Sequence, residues 1–215
     1  MPPKFFPNPA DSSADGLVAV GGDLAPERLL DAYSHGIFPW PIEDFEFHVW
    51  WSPDPRAVLP LSGFRASRRL LRRIRSMQFT ITYDEAFGEV MQGCASGPGR
   101  EGGTWITPAM IEAYAELHRL GHAHSVEAWQ GDRLVGGVYG VSVGGLFAAE
   151  SMFHRERDAS KVALYHLVEH LNRRGYQLLD VQQWTPHTSS LGVIEISRRD
   201  YLRRLAKVVD LPVTF

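Results

Sequence analysis

A single cysteine, Cys94, stands among 215 residues, so no intrachain disulfide can form and a reducing compartment is expected. Long hydrophobic runs are missing as well. The longest weakly polar stretch, Leu134 to Ala149, is broken by glycines and carries Ser142, short of the ~20 apolar residues that span a bilayer. The opening Met1-Pro2-Pro3-Lys4-Phe5-Phe6-Pro7 is interrupted by prolines and lacks the charged-then-apolar order of a secretory signal. These absences predict a cytoplasmic protein with no membrane partner. Positive charge is also short: 22 Lys and Arg against 25 Asp and Glu give a net charge of -3. No whole-molecule attraction to nucleic acid follows; DNA is not expected as a partner, and RNA must be met by a local patch.

Several sequence signals for particular chemistries are absent. The glycine-rich Gly97-Pro98-Gly99-Arg100-Glu101-Gly102-Gly103 lacks the Gly-Lys-Ser/Thr ending of a phosphate loop and reads as a flexible connection. His187, Ser189 and Ser190 have no Gly-x-Ser-x-Gly elbow and read as a turn. His118, His122 and His124 have neither Cys nor carboxylate beside them, and Gly121 should end a helix between them, so exposed helix-end histidines are expected and no metal site.

What is present is a chain long enough to bury a sizeable core. Residues 1–56 are rich in Pro, Gly and Trp around one helix, capped by Asp23, opened by Pro26 and ended at Gly36; they are expected to form a small N-terminal domain. Residues 57–215 alternate. A helix follows the strand Phe79 to Tyr83, Thr107-Pro108 opens another, and hairpins run through His124 to Trp129, Leu134 to Val143 and Leu146 to Phe153. A helix from Ala159 to Arg173 stops at Gly175, a strand covers Tyr176 to Gln182, and Ser197 with Asp200 opens the last helix. Antiparallel strands followed by a helix and a further strand make a mixed α/β sheet.

Two acidic positions close apolar strands: Glu150 after Leu146-Phe147-Ala148-Ala149, and Asp180 with Gln182 after Tyr176-Gln177-Leu178-Leu179. Strand carboxyl ends are where open α/β sheets build sites. Period-two alternation puts Glu150 and Met152 on one face and Phe147 and Ser151 on the other. A regular strand therefore cannot aim Phe147 and Glu150 at one pocket unless it bulges or ends there. Between 65 and 75 the arginines at 65, 68, 69, 72, 73 and 75, turned by ~100° per residue, share one helix face opposite Ala66, Leu70, Leu71 and Ile74. No acid is interspersed to pair with them. Trp40 and Trp105 sit in proline-flanked or polar loop context, where stacking on a base competes with core burial.

These segments together resemble the bacterial leucyl/phenylalanyl-tRNA-protein transferases. The resemblance is carried by Gly16 to Leu24, Gly36-Ile37-Phe38-Pro39-Trp40, Trp50 to Arg56, Thr104-Trp105-Ile106-Thr107, Gly121 to Glu127, Leu134 to Gly140, Glu150-Ser151-Met152-Phe153, Ala159-Ser160-Lys161 and Ser190-Leu191-Gly192, in order along nearly the whole chain. It implies a GNAT-like (N-acetyltransferase-type) domain after the N-terminal one. It implies an aminoacyltransferase that moves Leu, Phe or Met from aminoacyl-tRNA to proteins with N-terminal Arg or Lys, marking them for N-end-rule degradation. Carried over by position, Trp40 and Trp105 hold the terminal adenosine; Val138, Phe147, Met152 and Leu167 line the pocket for the transferred side chain, with Ser151 beside them. Glu150, Asp180 and Gln182 serve the acceptor amine and the chemistry. Because an α-amine gives up its proton readily near neutral pH, Asp180 is expected to orient the amine through Gln182 and accept its proton late, with Glu150 attracting the cationic acceptor. Arg65, Arg68, Arg69 and Arg72 are the expected tRNA contacts. The ester already carries the driving force, so no ATP, coenzyme A or other cofactor is expected.

The chain departs from the family pattern at Val138 (often Met), Leu167 (often Phe), Ala148-Ala149 (often Cys-Gly), Val181 (often Cys) and Thr185 (commonly Asn). Two other functions fit parts of the sequence. A small-molecule N-acetyltransferase would share the fold, but Arg155-Glu156-Arg157-Asp158 stands where its pyrophosphate loop belongs. A non-catalytic binder of charged tRNA or of degradation signals would bind without turnover.

Overall fold

The computed structural model describes residues 2–42, 45–96 and 104–215; the glycine-rich segment 97–103 lies outside the described residues. Near the N-terminus, β1 (Leu17–Val20), α1 (Pro26–Ser34), β2 (Phe38–Pro39) and β3 (Val49–Trp51) form a small antiparallel sheet, ordered β1-β3-β2, with a helix. Pro26 opens α1 as expected, but Asp23 does not cap it: its carboxylate accepts the amide of Ala25 at 3.1 Å, and Ala25, two residues on, is the cap. The chain leaves α1 through Gly36 at φ +74°, where a Cβ would lie 2.7 Å from the Tyr201 ring.

The rest runs β4 (Arg56–Val58), α2 (Arg68–Arg75), β5 (Thr80–Tyr83), α3 (Phe87–Ser96), α4 (Pro108–Arg119), β6 (Ala123–Gln130), β7 (Arg133–Val143), β8 (Leu146–His154), α5 (Ala159–Arg174), β9 (Leu178–Gln182), α6 (Pro186–Ser190), β10 (Ile194–Ile196) and α7 (Arg198–Val208). Its seven strands lie in the order β10-β4-β9-β8-β7-β6-β5. All neighbours are antiparallel except β8 and β9, which run parallel with α5 as their crossover. This is the mixed α/β sheet expected of a GNAT-like domain. Thr107 caps α4 through the Met110 amide at 3.2 Å, and Gly175, at φ +87°, ends α5. Ser197 caps α7 through the amide of Asp200 at 3.2 Å.

The large sheet divides two apolar layers. On one side Phe87, Val90, Tyr114, Tyr139 and Ala148 pack with Leu29, Ile37, Phe38 and Trp50, so the N-terminal segment buries its apolar residues jointly with α3 and α4. On the other, Val126, Val138, Phe147 and Leu179 lie beneath Val162, Ala163 and Leu167 of α5 and Leu70 of α2. No helix among the described residues is long and apolar enough to cross a membrane.

Candidate active site

The site begins with an irregularity in β8. Tyr139 of β7 faces Ser151 and Gly140 faces Ala149, leaving Glu150 as the extra residue of a bulge. One extra residue reverses the alternation of everything beyond it. Phe147 and Met152, which strict alternation separates, both pack into the α5-side layer, while Ala148 and Phe153 share the opposite one. Gly140 opposite the bulge has no room for a side chain, since a Cβ would lie 2.2 Å from the Ala148 carbonyl oxygen. On the other flank β8 pairs with β9 only through Leu146–Ala148 and Leu178–Asp180. Beyond that point the ladder stops. Glu150 and Gln182 meet across the opening, with Gln182 Nε2 donating to Glu150 Oε1 at 2.6 Å. Gln182 reaches that position at φ +64°, a backbone region that costs a non-glycine residue free energy and clusters at functional sites.

Asp180, fully buried, anchors the far side of this pair. Its Oδ1 accepts Arg56 Nε at 3.0 Å and the Gln182 amide at 2.8 Å, and its Oδ2 accepts Arg56 Nη2 at 2.6 Å and the Tyr201 hydroxyl at 2.7 Å. Arg56 in turn lies between the rings of Phe38 and Tyr201, 4.6 and 4.5 Å from their centroids, and donates to the Gly36 carbonyl at 3.0 Å. Burial works against the charge of Arg56, but Asp180 and its other partners hold the guanidinium above its ordinary value. Every lone pair of Asp180 that points at a neighbour is taken, so this carboxylate is a fixed strut beneath Gln182.

Glu150 is the titrating member. Burial, reinforced by the charge of Asp180, pushes its carboxyl up to about 8, against the lowering influence of hydrogen bonds from Tyr33 and Gln182 and of the Arg56 charge. The Tyr33 hydroxyl also contacts that of Tyr114, and burial together with Glu150 raises both phenols well above the usual range. Arg56, Tyr33, Tyr114 and Tyr201 escaped sequence reasoning as site residues. Only Arg56 left a trace there, as a charge opening the apolar strand Arg56-Ala57-Val58-Leu59; a buried tyrosine on a helix reads as ordinary core.

The other anticipated residues fall into three groups. Val138, Phe147 and Leu167 are buried together on the α5 side, and Met152 packs against them opposite Val138. Ser151 pairs with Tyr139 at the bulge. Trp40 and Trp105 stack on each other with centroids 4.6 Å apart and planes 18° from parallel, which leaves no room for a base between the rings. Of the arginines, Arg68, Arg69 and Arg72 lie on α2, whereas Arg65 precedes it, because Ser67 caps the helix through the Leu70 amide at 3.1 Å.

The histidine expectation needs correction. His124 lies in β6, its Nδ1 2.7 Å from Asp84 in the turn after β5, whereas His118 does stand in the last turn of α4 but is half-buried and bonds the Ala123 carbonyl at 2.8 Å. His187, Ser189 and Ser190 form the short α6, capped by Thr185, instead of a turn. Cys94 is buried in α3. No cluster of metal-ligating side chains occurs among the described residues.

A mixed sheet that splays to hold a buried, protonatable carboxyl against a side-chain amide has the ingredients of a group-transfer site. The chain belongs to the leucyl/phenylalanyl-tRNA protein transferase family: that family's model matches residues 58–206, and the model of its N-terminal domain matches residues 22–54. The leucyl/phenylalanyl-tRNA–protein transferase of Thiobacillus denitrificans is 52% identical over 215 residues, covering 97% of this chain and 92% of that protein. The enzyme of the same name from Nitratidesulfovibrio vulgaris is 51% identical over 214 residues, covering 97% and 89%. Among solved structures FemX overlaps at a TM-score of 0.49 with 12% identity, over 80% of this chain and 66% of that one.

Proposed function

We propose that this aminoacyltransferase moves Leu, Phe or Met from aminoacyl-tRNA to the α-amine of proteins with N-terminal Arg or Lys, in the cytoplasm, marking them for N-end-rule degradation. The observation that carries the chemistry is the Glu150–Gln182 pair, with the Glu150 carboxyl at about 8. A protein α-amine titrates near ~7.7 to 8.0, so the neutral nucleophile costs only about 1 to 1.4 kcal/mol at pH 7, and a proton can pass between amine and Glu150 almost without free-energy change. An arriving cationic N-terminus favours the ionised carboxylate, which readies it to accept.

The amine nitrogen then attacks the ester carbonyl carbon. The C–N bond forms, the C–O bond to the terminal ribose breaks, and the nitrogen's proton passes through Glu150 to the departing ribose oxygen. Gln182 holds the carboxyl in place, and Asp180, locked by Arg56 and Tyr201, holds Gln182; Asp180 is thus a positioning residue, and the proton-accepting role falls to Glu150. Positioning supplies most of the rate. Trp40 and Trp105 offer the platform for the terminal adenosine, Val138, Phe147, Met152 and Leu167 the pocket for the transferred side chain, and the α2 arginines contacts to tRNA phosphates. The test is incubation with Leu-, Phe- or Met-charged tRNA and an Arg-starting peptide. Peptide extension is expected; binding without extension, or acetylation from acetyl-coenzyme A in its place, would refute the reading.

A further inference from the structure

A cleft of about 430 Å³ opens between the segment around α2 and the start of α5, apart from the Glu150 pair. Arg65 and Arg69 line it from one side, Arg157, Ser160 and Lys161 from the other, and Asp158 is its one carboxylate. That carboxylate is already committed to Arg69, at 3.1 Å. Arg65, Arg157 and Lys161 have no carboxylate partner among the described residues. Asp158 stands at the N-cap of α5 in the left-handed region, φ +67°, and makes no side-chain cap bond. The amides of Ser160 and Lys161 consequently have no acceptor among the described residues. Ser160 is only 5% exposed and lines the cleft, and its hydroxyl makes no hydrogen bond among the described residues either. Buried polar groups are ordinarily satisfied. Unmet donors, unpaired cations and the positive end of a 16-residue helix converge on one concave space, which is an anion site in need of an acceptor-only ligand.

We propose that this cleft is a socket for one phosphate of the donor RNA's acceptor arm. It goes beyond the arginine face of α2, because Arg68 and Arg72 do not line it and Arg157, Ser160 and Lys161 come from another element. His154, at its margin, lies four residues along β8 from Glu150. At ~3.3 Å per residue that is about 13 Å, or roughly four stacked nucleotides from the ester. The phosphate is either a backbone diester of the 3′ strand or the 5′-terminal monoester. The inference rests on aminoacyl-tRNA being the donor.

The experiment titrates a deacylated acceptor minihelix against the full chain and against Arg157→Gln/Lys161→Gln, over a range of salt, with single methylphosphonate replacements along the 3′ strand and with 5′-phosphate or 5′-hydroxyl ends. In the wild type, neutralising one particular phosphate should weaken binding about tenfold and lower the slope of log K against log salt by ~0.7 to 0.9. In the double variant the same replacement should add nothing. Ser160→Ala, which alters no charge, should weaken binding severalfold with an unchanged thermal midpoint, and covers the case in which the double variant folds poorly. Which replacement is masked tells a diester from the 5′ monoester. If no single phosphate is masked by the variants, the socket is refuted. If the wild type fails to extend an Arg-starting peptide, the donor assignment falls instead; if it extends the peptide while the variants keep the wild-type KM for charged tRNA, only the socket falls.

Discussion

The pH dependence of stability tests the site more directly than activity does, because it reads the environment of Glu150 without substrate. Its carboxyl titrates near 4.5 when free of the fold and at about 8 within it. Between those values the native state binds a proton that the unfolded chain does not. Stability from this group is therefore fully present below about 4.5, declines as pH rises through the window, and is spent above about 8. At about 1.36 kcal/mol per pKa unit the whole window is worth roughly 4 to 5 kcal/mol, of which roughly 2 to 3 kcal/mol is lost between pH 6 and 9. Glu150→Gln keeps a neutral group of the same shape against Gln182 and Tyr33 and removes the ionisation. Urea denaturation of both proteins at several pH values from 6 to 9 isolates this effect, since the other titrating groups are common to both. The wild type should lose roughly 2 to 3 kcal/mol relative to Glu150→Gln over that range. Parallel curves would mean that Glu150 is not held protonated, and the proton-transfer role built on it would go. The variant should also lower transfer by about 10² or more, having no proton acceptor at that position.

Asp180→Ala strands Arg56 without its partner, so it should cost about 3 to 5 kcal/mol of stability and reduce turnover roughly 10²-fold or more in the folded fraction; near-normal turnover with folding intact, checked by circular dichroism, would overturn the strut. Val138→Met should shift the Leu-to-Phe ratio of kcat/KM within the ~1 to 3 kcal/mol that an apolar pocket discriminates, with peptide selectivity unchanged; a constant ratio removes Val138 from the pocket. Replacing Arg68 and Arg72 with Gln should lower the salt slope of tRNA binding by roughly 1.5 to 2 units and leave aminoacyl-adenosine binding as it was, and an unchanged slope makes α2 a solvated face. Chelator should leave transfer intact once tRNA folding is controlled, because the ester supplies the driving force; activity restored by a divalent ion would contradict this.

Whether the sequence displays a feature depends on how local its cause is. The caps at Thr107 and Ser197, the stop at Gly175 and the hairpin strands are set within a few residues, and each stands within a residue or two of its expected place. Alternation in β8 also calls for a bulge, and one is present at Glu150, but it unites Phe147 with Met152 on the α5 side while Glu150 is held with Tyr33 of the other layer. Conversely, arginine periodicity continues across the cap at Ser67 and cannot show that Arg65 lies outside α2. Most of the site is assembled over longer distances. Arg56 meets Asp180 across 124 residues, Tyr33 meets Tyr114 across 81, and Gln182 meets Glu150 across 32. No periodicity joins such pairs; what joins them is that β4 pairs with β9 and that α1 and α4 pack in one layer. The N-terminal segment is therefore part of the chemistry. It supplies Tyr33 to the carboxyl and the Gly36 carbonyl and Phe38 ring to Arg56. A chain beginning at residue 57 would keep Glu150, Asp180 and Gln182 but leave Asp180 buried without Arg56, and the strut under Gln182 would have nothing to stand on.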